Sequence, residues 1–106
     1  MSCEIRFVLG NHDSLRLYED LAKYNSNLKL QLPFFSYKNY WISHCPIHPQ
    51  EMRGRFGNIC GHLHNEKVWK EDSFSNQWED TRYYNVGLDT NNFKFVDFEY
   101  IQSKIK

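Results

Sequence analysis

The sequence predicts an α/β fold in which mixed β-sheet layers carry a flanking helix. Three observations lead there. A short apolar run, EIRFVL at residues 4–9, stops at Gly10. A segment of helical periodicity, SLRLYEDLAKYN at 14–25, follows. Beyond it the apolar residues fall into short runs bounded by turn-forming residues, which is how strands read. An order of strand, helix, then mostly strands belongs to α/β or α+β layers.

In chain order, residues 4–9 read as a buried strand and 14–25 as a helix. Leu17, Leu21 and Tyr24 share one helix face with Tyr18 and Ala22 beside them, and Asp13 or Ser14 is positioned to cap the N-terminus. FFSYKNYWISH alternates around Lys38-Asn39 and predicts a hairpin, 34–37 with 40–44. HCPIHPQEMRGR, with two prolines, reads as a loop holding at most a helical turn. FGNICGHLH (56–64) reads as a strand with a polar end and EKVWKE (66–71) as another, and EDSFSNQWED is a polar loop. RYYNVG (82–87) and FKFVDFEYI (93–101) read as two strands joined by a turn at LDTNN.

The length, 106 residues, fits one domain over 1–106 with a thin core. Aromatics make up 17% of the chain, so Phe, Tyr and Trp carry much of that core. Lys+Arg and Asp+Glu both number 13. That balance argues against a strongly electrostatic nucleic-acid binder or a polybasic membrane surface. Three cysteines, Cys3, Cys45 and Cys60, make no disulfide framework. With no apolar stretch of membrane-spanning length and no signal-peptide layout in MSCEIRFVLG, the expected setting is reducing and cytoplasmic.

The chemistry gathers where strand-like runs end. Four of the five histidines lie in SHCPIHP (His44, His48) and GHLH (His62, His64); the fifth is His12 in GNHD. Rigid elements position functional side chains at such ends. On an extended backbone His62 and His64, two apart, would face the same way and meet one metal ion or two adjacent ones. Imidazole suits Zn, Mn, Fe and Ni, and the Asn11 amide oxygen is a further ligand. His12 beside Asp13 is the pairing of a general acid held in one tautomer by a carboxylate. The bland alternatives are surface histidines at 62 and 64 and a helix cap at Asp13. The cap accounts for Asp13 but not for His12.

GNHD (10–13), then His44 in WISHCP, then GHLH (61–64), resemble in order the last three motifs of the calcineurin-like metallophosphoesterase family. The tail YYNVGLDTNNFKFVDFEYI also looks like that family's closing Asn-Val-Gly strand pair. The resemblance spans roughly residues 4–101 and implies the C-terminal half of a β-sandwich (αββα) domain. The family's earlier Asp-x-His and Gly-Asp motifs do not occur in these 106 residues. The resemblance implies a hydrolase acting on phosphomonoesters or phosphodiesters through a metal-activated hydroxide. Asn11, His44 and His62 would hold one ion, and His64 would belong to the other. His12 would protonate the leaving oxygen, oriented by Asp13. The implied cofactors are divalent ions (Mn²⁺, Zn²⁺, Fe²⁺ or Ni²⁺), with as few as one bound. Substrate contacts would come from Asn11 and His12. His48 reads as a loop residue near the site, with contact to the substrate phosphate as its alternative role.

Three neutral ligands offset none of a cation's charge, so weak metal affinity is expected of the isolated chain. Half a fold leaves apolar surface and a sheet edge to cover, so an N-terminal-half chain or a second copy is the expected partner. The competing readings are a non-catalytic remnant that binds metal or a partner, and a structural zinc site from Cys45, His48, Cys60 and His62. The spacings of that last set do not follow the usual paired-ligand patterns. Cys60 reads more simply as a core thiol.

Overall fold

A three-residue strand satisfies its backbone only by pairing. In the computed structural model, which describes residues 4–10 and 15–105, β1 (Ile5–Phe7) pairs in parallel with β2 (Leu28–Leu30), and helix α1 (Leu15–Ala22) connects them. A parallel pair requires such a crossover, because the chain must return to the end it left. An Asx turn, with Asn27 N donating to Asn25 Oδ1, ends the crossover and starts β2. β2 has no counterpart among the expected elements, since Leu-Lys-Leu is too short to register as a period.

α1 meets β1 through Tyr18, whose ring centroid lies 6.1 Å from that of Phe7. Leu15, Leu17 and Leu21 are exposed, and Tyr24, past the helix end, is 91% exposed. The apolar residues of the helix are therefore not buried in a core among the described residues. The expected caps Asp13 and Ser14 lie outside the described residues.

Six more strands follow: β3 (Phe34–Tyr37), β4 (Tyr40–Ser43), β5 (Gly57–Cys60), β6 (Trp69–Glu71), β7 (Gln77–Glu79) and β8 (Tyr83–Asn85). β3 and β4 form the expected hairpin, and Lys38 and Asn39 both adopt positive φ (48° and 71°). That two-residue geometry matches the twist of the flanking strands. The sheet order is β3-β4-β5-β8, with β4, β5 and β8 mutually parallel. β5 lies inside the sheet and all four of its residues are buried. Its side chains alternate between two environments. Ile59 packs with Tyr40 and Ile101 in the main core, while Asn58 and Cys60 turn to the other face.

Two expected elements are corrected. Residues 93–101 do not continue the sheet: helix α2 (Phe98–Lys104) occupies the end of that stretch. Asp97 caps it by accepting from Tyr100 N at 2.8 Å. Ile101, one turn on from Phe98, enters the core over Tyr40 and Ile59. The alternation of FKFVDFEYI suggested a strand, but a capping aspartate four residues before a buried isoleucine starts a helix. Phe93 and Phe95 stay exposed in the loop before it, where Asn92 and Phe93 take positive φ. The tail thus carries one strand and a helix in place of a closing strand pair.

The second correction is in 71–80. Gln77–Glu79 pairs antiparallel with Trp69–Glu71 around a loop tied by Asp72, whose carboxylate accepts from the Phe74 and Asn76 amides. β7 is exposed throughout, so no apolar alternation marks it in the sequence. Among the described residues no helix is long and apolar enough to cross a membrane.

Candidate metal centre

Because β4, β5 and β8 are parallel, their C-terminal ends open on the same edge of the sheet. Ligand sites of open α/β sheets form at such edges, where several loops converge. His44 follows β4 directly, His62 follows β5 by two residues, and Asp89 follows β8 by four. The three, with Leu63, His64 and Phe93 among their neighbours, line a cleft of about 770 Å³.

Nε2 of His44 lies 3.1 Å from Nδ1 of His62, with the rings edge-on at 68°. Two ring nitrogens at that distance share one proton as donor and acceptor, or turn both lone pairs on a common cation. Among the described residues, one group of three has the spacing to hold a metal ion: the ligand atoms of His44, Cys45 and His62 lie within 4.8 Å of one another.

His62 and His64 reach the cleft differently from the extended-strand expectation. β5 ends at Cys60, and both histidines adopt positive φ (71° and 52°) within a turn closed by Leu63 N to Gly61 O and Glu66 N to Leu63 O. Alternation of side chains ceases where the strand does. His62 turns to His44, and His64 turns to Asp89, its Nδ1 lying 2.7 Å from Oδ2. That leaves Nε2 of His64 as its remaining ligand atom. Asn85 secures the same turn, donating from Nδ2 to the His64 carbonyl and accepting from Gly87 N.

The loop that bears His44 is fastened from β5. Asn58 has no exposed surface. Its Nδ2 donates to Trp41 O and Ser43 Oγ, and its Oδ1 accepts from Ile47 N at 2.9 Å. Gly61 N donates to the His44 carbonyl, and Tyr83 Oη donates to Ile47 O at 2.6 Å. Burial, with the nearby Asp80 charge, pushes the Tyr83 phenol up to about 12, so it stays a donor across the physiological range. Residues 43–47 are therefore held to β5 and β8 on both sides of His44.

The other singled-out residues fall as follows. Asn11, His12 and Asp13 lie outside the described residues. His48 Nδ1 accepts from Gln50 N, capping the 3-10 turn Pro49–Glu51. In the same loop, two arginines are engaged elsewhere: Arg53 pairs with Glu51, and Arg55 donates to Ser36 and lies over the Trp41 ring. Cys60 is buried, and that burial, with Cys45 adding to it, pushes its thiol up to about 12. The four-residue zinc set of the sequence is divided: Cys45 and His62 join His44, while Cys60, buried, lies outside that group and His48 caps the 3-10 turn.

Asp89 and Asn58 are the site residues that the sequence did not announce. An aspartate in LDTNN reads as a turn former. Asn58 left a signal, being a polar residue inside the apolar run of β5, and a buried amide must have partners. No protein-family model, curated protein or solved structure was found to match the chain.

Proposed function

We propose that this chain contributes one half of a metal-dependent phosphoesterase site, in which His44 and His62 hold a divalent ion at the C-terminal edge of the parallel strands. The observation that carries this reading is the 3.1 Å approach of the two ring nitrogens, from loops 18 residues apart in sequence. The motif order GNHD, His44, GHLH supplies the rest, with Asn11 as a further ligand of that ion and His64 turned toward a second one. The ion that His44 and His62 would hold would supply activation of the attacking water and neutralisation of the phosphoryl charge. His12, oriented by Asp13, would return the proton to the leaving oxygen.

The two-metal version of this chemistry needs a bridging carboxylate, which the family takes from its Gly-Asp motif. A second segment or chain would supply it, and the exposed leucines of α1 together with Leu30 and Leu32 of the β2 end favour such a partner seat.

The test is hydrolysis of a generic phosphomonoester and a phosphodiester with Mn²⁺ or Zn²⁺ added, alongside native mass and metal content. Metal-dependent turnover that His12→Ala and His62→Ala each abolish supports the enzyme. A monomer that binds no metal and turns over neither ester overturns it.

A further inference from the structure

We propose that Cys45 is a thiolate ligand, so that His44, Cys45 and His62 form a three-ligand site for a thiophilic divalent ion, zinc foremost, with a fourth position open. This deepens the reading above, from which it borrows His44 and His62, but it concerns metal binding and stands whether or not the chain turns over a phosphoester.

The argument begins with distance. In a tetrahedral site with Zn–S of about 2.3 Å and Zn–N of about 2.0–2.1 Å, neighbouring ligand atoms lie roughly 3.3–3.7 Å apart. The His44 and His62 nitrogens are already at 3.1 Å, and the thiol sulfur completes a triangle no wider than 4.8 Å. Cys45 and His62 lie at the surface, where side-chain adjustment can close the remaining difference.

The backbone beneath the triangle is fixed. Ser43 Oγ donates to the Cys45 carbonyl at 2.5 Å, and that hydroxyl in turn accepts from buried Asn58. The His44 carbonyl is held by Gly61 N at 2.8 Å, which ties the first two ligands to the turn that carries the third. Two adjacent ligands on one pinned loop and a third on its hydrogen-bonded neighbour lose little freedom when an ion enters.

Charge decides the ion. Two imidazoles and an amide leave a divalent cation uncompensated, whereas a thiolate removes one positive charge. Thiolate also selects zinc and cobalt over manganese and magnesium, which prefer oxygen. The metal displaces the thiol proton on binding. Three protein ligands with an open position form the arrangement of a zinc ion that binds water or an anionic oxygen, and two of the three, His44 and His62, line the cleft that also holds His64 and Asp89.

The experiment loads the full chain with Co²⁺ and reads the sulfur-to-cobalt charge-transfer absorption in the near ultraviolet, then titrates Zn²⁺ against the bound cobalt. The wild type is expected to show the band and lose it to Zn²⁺. Cys45→Ser is expected to lack the band and to bind Zn²⁺ at least about tenfold more weakly, with an unchanged far-ultraviolet spectrum. Cys3→Ser is expected to keep both band and affinity. Zn²⁺ should also slow alkylation of Cys45 by iodoacetamide, an independent readout if a variant misfolds. Cobalt bound without the thiolate band, or Zn²⁺ affinity unchanged in Cys45→Ser, overturns the proposal. Metal-dependent hydrolysis that survives intact in Cys45→Ser would overturn it while leaving the phosphoesterase reading standing. A thiolate-ligated zinc in a chain without hydrolysis supports it while removing that reading.

Discussion

His64 Nδ1 and Asp89 Oδ2 lie 2.7 Å apart, joined across 25 residues by the turn after β5 and the turn after β8. A carboxylate on one ring nitrogen fixes the tautomer and leaves the other as a lone pair for a metal or a proton donor. The pair is largely exposed, so it adds little to stability. Asp89→Asn is expected to leave the melting temperature nearly unchanged while lowering metal affinity or kcat/KM by about 10–100-fold. Calorimetry beside metal titration checks this, and a matching fall in melting temperature would make Asp89 structural.

Asn58 is expected to matter at a distance from any ligand. Asn58→Ala strands the Ile47 amide and frees the Ser43 hydroxyl, both inside the loop that carries His44 and Cys45. Losing a buried amide with several partners costs about 2–3 kcal/mol. Metal affinity should fall along with stability in this variant, unlike Asp89→Asn. Denaturant unfolding with and without Zn²⁺ separates the two effects.

Asp80 sets an acid limit. Its side chain is almost wholly buried, and Arg82 grips it with Nε at 3.0 Å and Nη2 at 2.7 Å. Burial alone would raise its pKa, but the hydrogen bonds and charge of Arg82 outweigh that and hold the carboxyl below its ordinary value. As pH falls below the unfolded value of about 3.9, the unfolded chain takes up the proton first. The stabilisation is thus complete at neutral pH and is lost as pH falls through the folded pKa. Asp80→Asn is expected to cost about 2–3 kcal/mol at pH 7, somewhat under the range for a fully buried pair because Arg82 is partly exposed. It should also flatten the fall of the melting temperature below about pH 4, where the unfolded chain protonates ahead of the folded one. A melting series across that range reads both effects.

Gly57 opens β5 where nothing larger fits. A Cβ there would run into the Arg82 carbonyl oxygen and come within 2.8 Å of Ile105 Cγ2. The carbonyl belongs to the backbone that leads into β8 and accepts from Asn58 N, so it cannot swing away. Gly57→Ala is expected to destabilise by about 1–3 kcal/mol through overpacking. Gly54→Ala, with positive φ but open space around it, is expected to cost less, since only backbone strain is paid there. Paired urea melts compare the two.

The sequence by itself determined the local elements whose physics is local. Lys38-Asn39 between alternating apolar residues specified a hairpin, because two consecutive positive φ angles suit few residue pairs. The run into Cys60 specified a buried strand, and histidines stood out after strand-like runs. Tertiary structure decided what depends on neighbours. β7 exists because β6 pairs with it, and residues 98–104 are a helix because Ile101 finds Tyr40 and Ile59. His62 and His64 part company because β5 ends at Cys60, two residues before the first of them. Sequence spacing can place two histidines on one segment. Only the parallel arrangement of β4, β5 and β8 brings His44, Cys45 and His62 to one point and sets Asp89 against His64, because those approaches cross 17 to 25 residues of chain.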